Sequence, residues 1–337
     1  MSEELTLDAG AFLPPVWLRN QHVQSVIPSL PFRRPAVERG TRELVSRSRR
    51  LVLDCGDGVR LLAWHAVSPR AGDRSLTGGG RLAVLLHGWE GSAEAMYVLT
   101  LGQRLLERGF DVVRLNLRDH GGSHDLNEGI FHSCRIQEVV GAVRRIQELN
   151  SGHEMSLIGF SLGGNFFLRV GARAGGAGIA VRRIIALSPV LDPRHTLSSL
   201  ESGWVLYRNY FVWKWRRSLK EKQAAWPQVY DLREVIGLKN LTDMTEWLAC
   251  RYGRFPSLDA YLDGYAITGE ALAGLTVPTR IIAAEDDPII PATDLDRLAR
   301  VPALEMTRTR FGGHCGFYSG RGDSWFIREV IATLESG

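Results

Sequence analysis

Cysteines are few in this sequence, and long apolar runs are missing from it. The 337 residues include four cysteines, Cys55, Cys134, Cys250 and Cys315, which lie far apart and form no CxxC pair. This spacing favours reduced thiols over a disulfide framework or a zinc site. No stretch reaches the roughly 18 uninterrupted apolar residues that a membrane span needs. We therefore expect neither disulfides nor a transmembrane segment.

The sequence also lacks a strong excess of either charge. Lys and Arg number 41 and Asp and Glu 37, so the sequence pI of about 9.0 comes from a small excess of scattered basic residues. Nucleic-acid binding depends on clustered basic residues, so we expect none here. The first residues, MSEELTLDAG, lack the basic segment and the apolar core of a secretory signal. These features favour a cytoplasmic protein.

The sequence does contain an alternation of short apolar runs and helical patterns. An Asp57-Gly58 pair between two apolar runs predicts a hairpin, and Gly-rich residues 70–80 predict an exposed loop. Strands are predicted at RLAVLLHG, DVVRLNL, MSLIGF, RRIIALSP, TRIIAAE and ALEMTRTR, and helices at 94–108, 132–150, 162–174, PATDLDRLAR (291–300) and 323–335. Continuously apolar strands that alternate with helices are typical of an α/β fold, with a mostly parallel sheet covered on both faces.

Two segments depart from this alternation. Residues 1–40 combine several prolines with apolar and aromatic residues, which predicts an arm packed on the main domain. Residues 192–272 contain helical patterns rich in Trp and Tyr and no clear strand, which predicts a helical insertion. The main domain would then comprise residues 41–191 and 273–337. Within the insertion, WVLYRNYFVWKWRRSLKEK is basic and aromatic, which favours a lid packed on the core, with weak peripheral membrane contact as the alternative.

A candidate nucleophile lies in GFSLGG, residues 159–164. The motif stands where an apolar strand meets a helix, as a G-x-S-x-G nucleophile elbow requires. Such a turn would project the Ser161 hydroxyl above the sheet, at a helix N-terminus that favours developing negative charge. The alternative is a serine N-cap beside glycines that only pack the helix.

A catalytic serine needs a histidine base and an acid that orients the base, in the chain order Ser, acid, His. Only His195 and His314 follow Ser161, and no strand-end acid precedes His195. His314 lies in the Gly-flanked loop FGGHCGF after a strand, so it is the favoured base. The stretch AAEDDPIIP supplies the acid, and the spacing leaves Asp286 and Asp287 both open.

Two backbone N–H groups should bind the oxyanion of the transition state. One is expected from Leu162, directly after the serine, and one from Trp89, after the strand that ends in His87-Gly88. His87 is predicted to organise that loop. His120 and His124 suggest a metal site, but the two glycines between them disfavour the helix that would align them. We favour a turn that lines the pocket.

In combination these motifs resemble the α/β-hydrolase superfamily, over nearly the whole chain. The opening FLPPVWLRNQHVQSVIPSL, together with HGWEGS, GFSLGGN and GGHCGF, is similar to the branch of bacterial YheT-like and eukaryotic ABHD-type hydrolases. This chain departs from a motif of the wider superfamily at residues 118–123, which read R-D-H-G-G-S where R-G-H-G-x-S is common. Trp89 also replaces a smaller residue, which narrows the expected acyl site.

The resemblance implies a serine ester hydrolase that uses no metal and no organic cofactor. The expected substrate is a small-molecule ester of short to medium acyl chain, or a lipid ester. A thioesterase, amidase or phospholipase with the same triad, or a non-catalytic lipid-binding protein, remains an alternative. The family's acid directly before Pro matches Asp287, with Asp286 as the second choice and Glu285 as a group that is solvated or supports the acid. The oligomeric state is left open.

Overall fold

A single eight-stranded sheet forms the centre of the computed structural model, which describes residues 12–69, 79–320 and 324–336. The strands are β1 (Ser48–Asp54), β2 (Arg60–Ala66), β3 (Arg81–Leu86), β4 (Phe110–Leu115), β5 (Glu154–Phe160), β6 (Arg183–Leu187), β7 (Thr279–Ala284) and β8 (Leu304–Thr309). Their order is β1-β2-β4-β3-β5-β6-β7-β8. β1 and β2 are antiparallel to their neighbours and the others run parallel, which confirms the predicted fold class.

Helices cover both faces of this sheet. The α-helices of the described residues are α1 (Gln21–Val26), α2 (Arg34–Gly40), α3 (Arg42–Arg47), α4 (Met96–Glu107), α5 (Ile136–Leu149), α6 (Leu162–Gly171), α7 (Pro193–Ser202), α8 (Val205–Ala225), α9 (Arg233–Gly237), α10 (Leu241–Arg251), α11 (Leu258–Asp263) and α12 (Trp325–Glu335). One apolar core contains side chains of α5 and α6, and the other contains side chains of α4 and α12.

The continuously apolar strands supply both cores at once. In β3, Leu82 and Leu86 belong to the core that contains α5, whereas Ala83 and Leu85 belong to the core that contains α4. Successive side chains of a strand point to opposite faces, so a strand covered on both sides must be apolar at every position. This is why the runs read from the sequence predict buried parallel strands.

The hairpin of β1 and β2 has the predicted turn. Asp57 and Gly58 have φ values of +52° and +74°, the positive pair that characterises a type I′ turn. The hairpin packs closely on α5, because a Cβ atom at Gly141 would lie 1.9 Å from the Cys55 carbonyl oxygen. Most of the predicted loop at 70–80, namely residues 70–78, lies outside the described residues.

The helix predicted over residues 291–300 is shorter than expected. Only a 3-10 helix forms there, over Ala292–Arg297, and Leu298 is extended. The Arg297 carbonyl accepts a hydrogen bond from the Gly269 N–H at 2.7 Å, and Gly269 and Leu298 form a parallel β-bridge. These backbone contacts with the segment before β7 replace the contacts that a further helical turn would make.

Two helical segments lie beside the ends of the parallel strands. α1 to α3 precede β1, and the Gln24 side chain exchanges hydrogen bonds with the backbone of Tyr318, in the loop after β8. α7 to α11 connect β6 to β7. Residues 1–11 of the expected arm lie outside the described residues. Within those residues, no helix combines the length and the apolar character that crossing a bilayer requires.

Candidate active site

Ser161 occupies a strained turn between β5 and α6. Its φ of +52° lies in the left-handed region that residues other than glycine rarely adopt. The neighbouring glycines permit this turn: a Cβ at Gly163 would lie 2.4 Å from the Leu86 carbonyl oxygen, and a Cβ at Gly159 would lie 2.4 Å from the Gly163 carbonyl oxygen. The turn therefore requires glycine at both positions, as the motif predicts.

His314 joins Ser161 to one of the three acids. Its Nε2 lies 3.0 Å from Ser161 Oγ, and its Nδ1 lies 2.9 Å from Asp287 Oδ2. The loop that presents the ring has positive φ values at Gly313 and Cys315, on either side of the histidine. The structure thus brings together the three side chains that the sequence places far apart.

The three adjacent acids have different surroundings. Asp287 Oδ1 accepts the N–H groups of Ile289 and Ile290 at 2.8 and 3.0 Å, which leaves Oδ2 turned to the histidine. Asp286 Oδ1 instead accepts the Gly313 N–H at 2.8 Å, and its burial raises the pKa of this carboxyl group. Glu285 is exposed. Asp286 therefore contacts the backbone of the histidine loop, and Asp287 contacts the imidazole.

The two predicted oxyanion donors flank the serine. Leu162 is the first residue of α6, and the first N–H groups of a helix have no acceptor within it. The N–H groups beside Trp89 are bound elsewhere, because Gly88 donates to Tyr97 Oη and Glu90 donates to His120 Nε2. For the Trp89 N–H no acceptor is present within residues 12–69, 79–320 and 324–336. Trp89 and Leu162 therefore carry backbone donors that a substrate oxygen could use.

Gly88 sets how closely the β3 loop approaches the serine. A Cβ at this position would lie 3.1 Å from Ser161 Cβ, so a larger side chain would push the loop away. The Trp89 ring itself points to α8, where it stacks on Phe211 with centroids 5.2 Å apart and meets Trp215 edge-on at 5.0 Å. The tryptophan therefore packs the β3 loop against α8.

Three of the histidines that precede Ser161 contact these loops or α8. His87 Nδ1 lies 2.7 Å from the Gly88 carbonyl oxygen, and complete burial lowers its pKa to about 4, so the ring is neutral. His120 accepts the Glu90 N–H, and burial holds its pKa well below the usual value. His124 lies 2.9 Å from Ser218 Oγ of α8. His120 and His124 thus bind different partners, which agrees with a turn rather than a metal site.

His195 belongs to a separate cluster. Its Nδ1 lies 2.7 Å from Asp294 Oδ1, and Asp192 completes a group that could coordinate a metal ion. The Arg297 guanidinium, however, lies 2.7 Å from Asp192 Oδ2 and 3.2 Å from Asp294 Oδ1. One guanidinium group thus already pairs with both carboxylates, so the geometry favours an ion-pair network.

A large cavity opens above Ser161 and His314. Its volume is about 1220 Å³, and its lining is mainly apolar. It is bounded by the N-terminal helices, by α4 and by the helices that connect β6 to β7, including residues Val26, Thr100, Leu200, Tyr207, Phe211 and Tyr265. Sites for small molecules usually measure about 300–1,000 Å³, so this cavity exceeds the common range.

Two contacts of the site have no clear signal in the sequence. Ser25 of α1 accepts the His314 N–H at 2.8 Å, so the N-terminal segment supports the histidine loop. The Lys214 ammonium group of α8 donates to the Glu90 carbonyl oxygen at 2.7 Å, and burial raises the pKa of the Glu90 carboxyl group to about 8. A serine or a lysine at such distances along the chain carries no pattern that links it to the active site.

Asp119 and Lys222 form a buried ion pair that fastens α8 to the core. Lys222 Nζ lies 2.9 Å from Asp119 Oδ1 and also donates to the carbonyl oxygens of Asn127 and Gly129, at 2.6 and 3.2 Å. The exposed fractions of the two side chains are only 1% and 5%. The position at which this chain departs from R-G-H-G-x-S therefore holds the partner of a lysine in α8.

Comparison with known proteins supports the fold. Residues 83–226 match the family model for the alpha/beta hydrolase fold. The chain is 26% identical over 331 residues to YheT of Escherichia coli (strain K12), whose name attributes an esterase activity to it; the match covers 95% of this chain and 92% of YheT.

Solved structures resemble the chain at lower identity. An esterase of Pyrococcus furiosus matches with a TM-score of 0.57 and 16% identity, over 88% of this chain and 94% of that one. A serine hydrolase of Cycloclasticus zankles, a bacterium that degrades polyaromatic hydrocarbons, matches with a TM-score of 0.55 and 15% identity, over 86% and 98%. At such identities the likeness concerns the fold alone.

Proposed function

We propose that this chain, an α/β hydrolase similar to YheT, cleaves carboxylic esters through an acyl-enzyme formed on Ser161. One observation carries the proposal. A continuous hydrogen-bonded path runs from Ser161 Oγ through both ring nitrogens of His314 to Asp287, with distances of 3.0 and 2.9 Å. A serine activated in this way attacks acyl carbons without a metal or an organic cofactor.

In the first half of the reaction, His314 Nε2 accepts the hydroxyl proton while Ser161 Oγ bonds to the ester carbon. The backbone N–H groups of Trp89 and Leu162 stabilise the oxyanion. His314 then donates the proton to the leaving alcohol, and the C–O bond of the ester breaks. Asp287 accepts the Nδ1–H throughout, which fixes the tautomer and stabilises the imidazolium ion.

In the second half, a water molecule replaces the alcohol. His314 accepts one of its protons as the oxygen attacks the acyl carbon, and a second oxyanion forms at the same two N–H groups. Collapse of this intermediate breaks the bond to Ser161, and the proton returns to Oγ. The products are a carboxylic acid and free enzyme, so atoms and charges balance.

We also propose that residues 192–272 act as a lid, that the N-terminal 40 residues form an arm on the core, and that the protein is cytoplasmic. The lid proposal rests on α8, whose Phe211 and Trp215 contact Trp89 beside the oxyanion donors. Short to medium acyl chains remain the expected substrates. The cavity of about 1220 Å³ favours a second candidate, an ester with a larger lipid-like acyl or alcohol group.

A panel of p-nitrophenyl esters tests the proposal. Acetate, butyrate, octanoate and palmitate esters should be compared for wild type, for Ser161→Ala and for a control, Ser46→Ala, in which an exposed serine of α3 is changed. The loss of a triad nucleophile should lower kcat by about 10⁶, and the control should match wild type. A fluorophosphonate probe should label wild type and the control only.

The outcomes separate the alternatives. Unchanged turnover by Ser161→Ala would refute the mechanism. Serine-dependent labelling without ester turnover would favour a thioesterase, amidase or phospholipase. The absence of both labelling and turnover would favour a non-catalytic lipid-binding protein.

A further inference from the structure

Large apolar side chains are exposed at the mouth of the active-site cavity. Leu206, Tyr210 and Trp213 of α8 follow one another at helical spacing, so they share one face, and they are 53%, 48% and 57% exposed. Phe32, which precedes α2, is 73% exposed, and all four side chains also line the cavity. We call these four residues the mouth patch. Large exposed apolar side chains that gather around one cavity commonly mark an interaction site.

Basic residues continue this face of α8. Arg217 follows Trp213 by four residues, its side chain is 71% exposed, and Lys220 is exposed one turn further on. The whole helix carries one acidic residue, Glu221, and six basic residues, Arg208, Lys214, Arg216, Arg217, Lys220 and Lys222. Exposed aromatic and aliphatic side chains next to Lys and Arg can enter the membrane interface while the basic groups contact anionic headgroups.

We infer that the mouth patch, together with Arg217 and Lys220, binds the surface of a membrane that contains anionic lipids. The aromatic and aliphatic side chains would enter the boundary between headgroups and acyl chains, and the basic residues would contact the headgroups. The cavity mouth would then face the lipid, so an apolar ester could enter without crossing water.

Charge favours a lipid surface over a second copy of this chain. A two-fold contact through the mouth patch would bring together two copies of α8, each of which carries six basic residues and one acidic residue. Like charges brought together at an interface repel each other. An anionic bilayer instead attracts each basic residue near its surface.

Flotation with lipid vesicles tests this inference. Wild type should bind vesicles of phosphatidylcholine mixed with phosphatidylglycerol, and should bind pure phosphatidylcholine vesicles more weakly. Raising the salt concentration from about 0.05 M to about 0.5 M should weaken binding, because the headgroup charge is screened. Ser161→Ala should bind like wild type, so membrane binding and the proposed hydrolysis can fail independently.

Two double variants separate the apolar and charged contributions. Leu206→Ser/Trp213→Ser removes apolar surface, and Arg217→Glu/Lys220→Glu reverses charge. Each should weaken binding to the mixed vesicles at least about tenfold. Arg217 and Lys220 do not line the described cavity, so the charge variant should hydrolyse soluble acetate esters at the wild-type rate.

Matched controls come from α5, which contributes no lining residue to the described cavity. Leu149 is 50% exposed and Arg144 and Arg145 are also exposed, so Leu149→Ser and Arg144→Glu/Arg145→Glu should bind like wild type. Circular dichroism should show that every variant is folded. The inference would be overturned if wild type does not bind anionic vesicles. It would also be overturned if the α5 control variants lose as much vesicle binding as the α8 variants. A second copy would be identified as the occupant if wild type forms a dimer and does not bind vesicles, and if Leu206→Ser/Trp213→Ser abolishes that dimer.

Discussion

The buried pair of Asp119 and Lys222 should make a large contribution to stability. Replacing Lys222 with Met keeps most of the apolar stem but leaves the Asp119 carboxylate without its counter-charge. Removing one partner of a buried ion pair typically lowers the free energy of unfolding by about 3–5 kcal/mol. The exposed fractions of 1% and 5% place this pair in that class. We expect losses of that size for Lys222→Met and for Asp119→Asn at neutral pH.

The two single variants should respond to pH in opposite directions. Burial raises the pKa of Asp119 and Lys222 opposes this rise, so Lys222→Met should raise that pKa further. The unpaired carboxylate then costs stability above its folded pKa, and the loss shrinks as the pH falls and the group is protonated. Burial lowers the pKa of Lys222, so the loss in Asp119→Asn should shrink as the pH rises and the amine becomes neutral.

Urea unfolding, followed by tryptophan fluorescence and circular dichroism between about pH 5 and pH 9, measures both effects. The double variant Lys222→Met/Asp119→Asn should lose less than the sum of the single variants, because neither charge is left unpaired. The exposed pair Arg217 and Glu221 lies on the same helix and is a matched control. Changing it to Met and Gln should cost less than about 1 kcal/mol. If Lys222→Met lowers the free energy of unfolding by less than about 1 kcal/mol and the loss does not depend on pH, the buried pair does not make the proposed contribution to stability.

Three further variants, two of them with a comparison variant, test the active site. Asp287→Asn should lower kcat by about 10⁴, because the amide cannot hold the required tautomer of His314. Asp286→Asn should keep most activity, because its remaining oxygen can still accept the Gly313 N–H. Turnover of p-nitrophenyl acetate distinguishes the two variants. Gly163→Ala should lower the free energy of unfolding, measured in urea, by about 1–3 kcal/mol, because the new methyl group would meet the β3 backbone. Gly175→Ala should not lower it, because the methyl group at that position enters open space. Ser25→Ala should lower kcat about tenfold, because the histidine loop loses a hydrogen bond worth roughly 1 kcal/mol; unchanged turnover would contradict its supporting role.

Most of the fold could be predicted because a covered parallel sheet leaves a direct trace in the sequence. β3 and β5 are buried at nearly every position, so their apolar runs are unambiguous. Residues 291–300 show the limit of such patterns. Their helical periodicity is real, yet the backbone of Arg297 and Leu298 pairs with Gly269 from another segment. Local periodicity contains no information about such a partner.

The same limit applies to the contacts made by distant segments. Ser25 reaches the His314 loop from 289 positions away, and Lys222 reaches Asp119 across 103 positions. Nothing at either position distinguishes these residues from other serines and lysines. The serine and histidine of the proposed triad differ, because their local glycines predict unusual turns whatever their partners are.

The different contacts of Asp286 and Asp287 follow from the position of Pro288 in the sequence. An Asp side chain in a turn commonly accepts the N–H group two residues further on. For Asp286 that residue is Pro288, which has no N–H, whereas for Asp287 it is Ile289. The structure shows this bond, from Ile289 N to Asp287 Oδ1 at 2.8 Å, and it fixes the carboxylate with Oδ2 towards His314. Asp287, directly before Pro288, can thus form a local side-chain turn that Asp286 cannot form. The position before Pro288 is therefore suited to a carboxylate that orients a histidine.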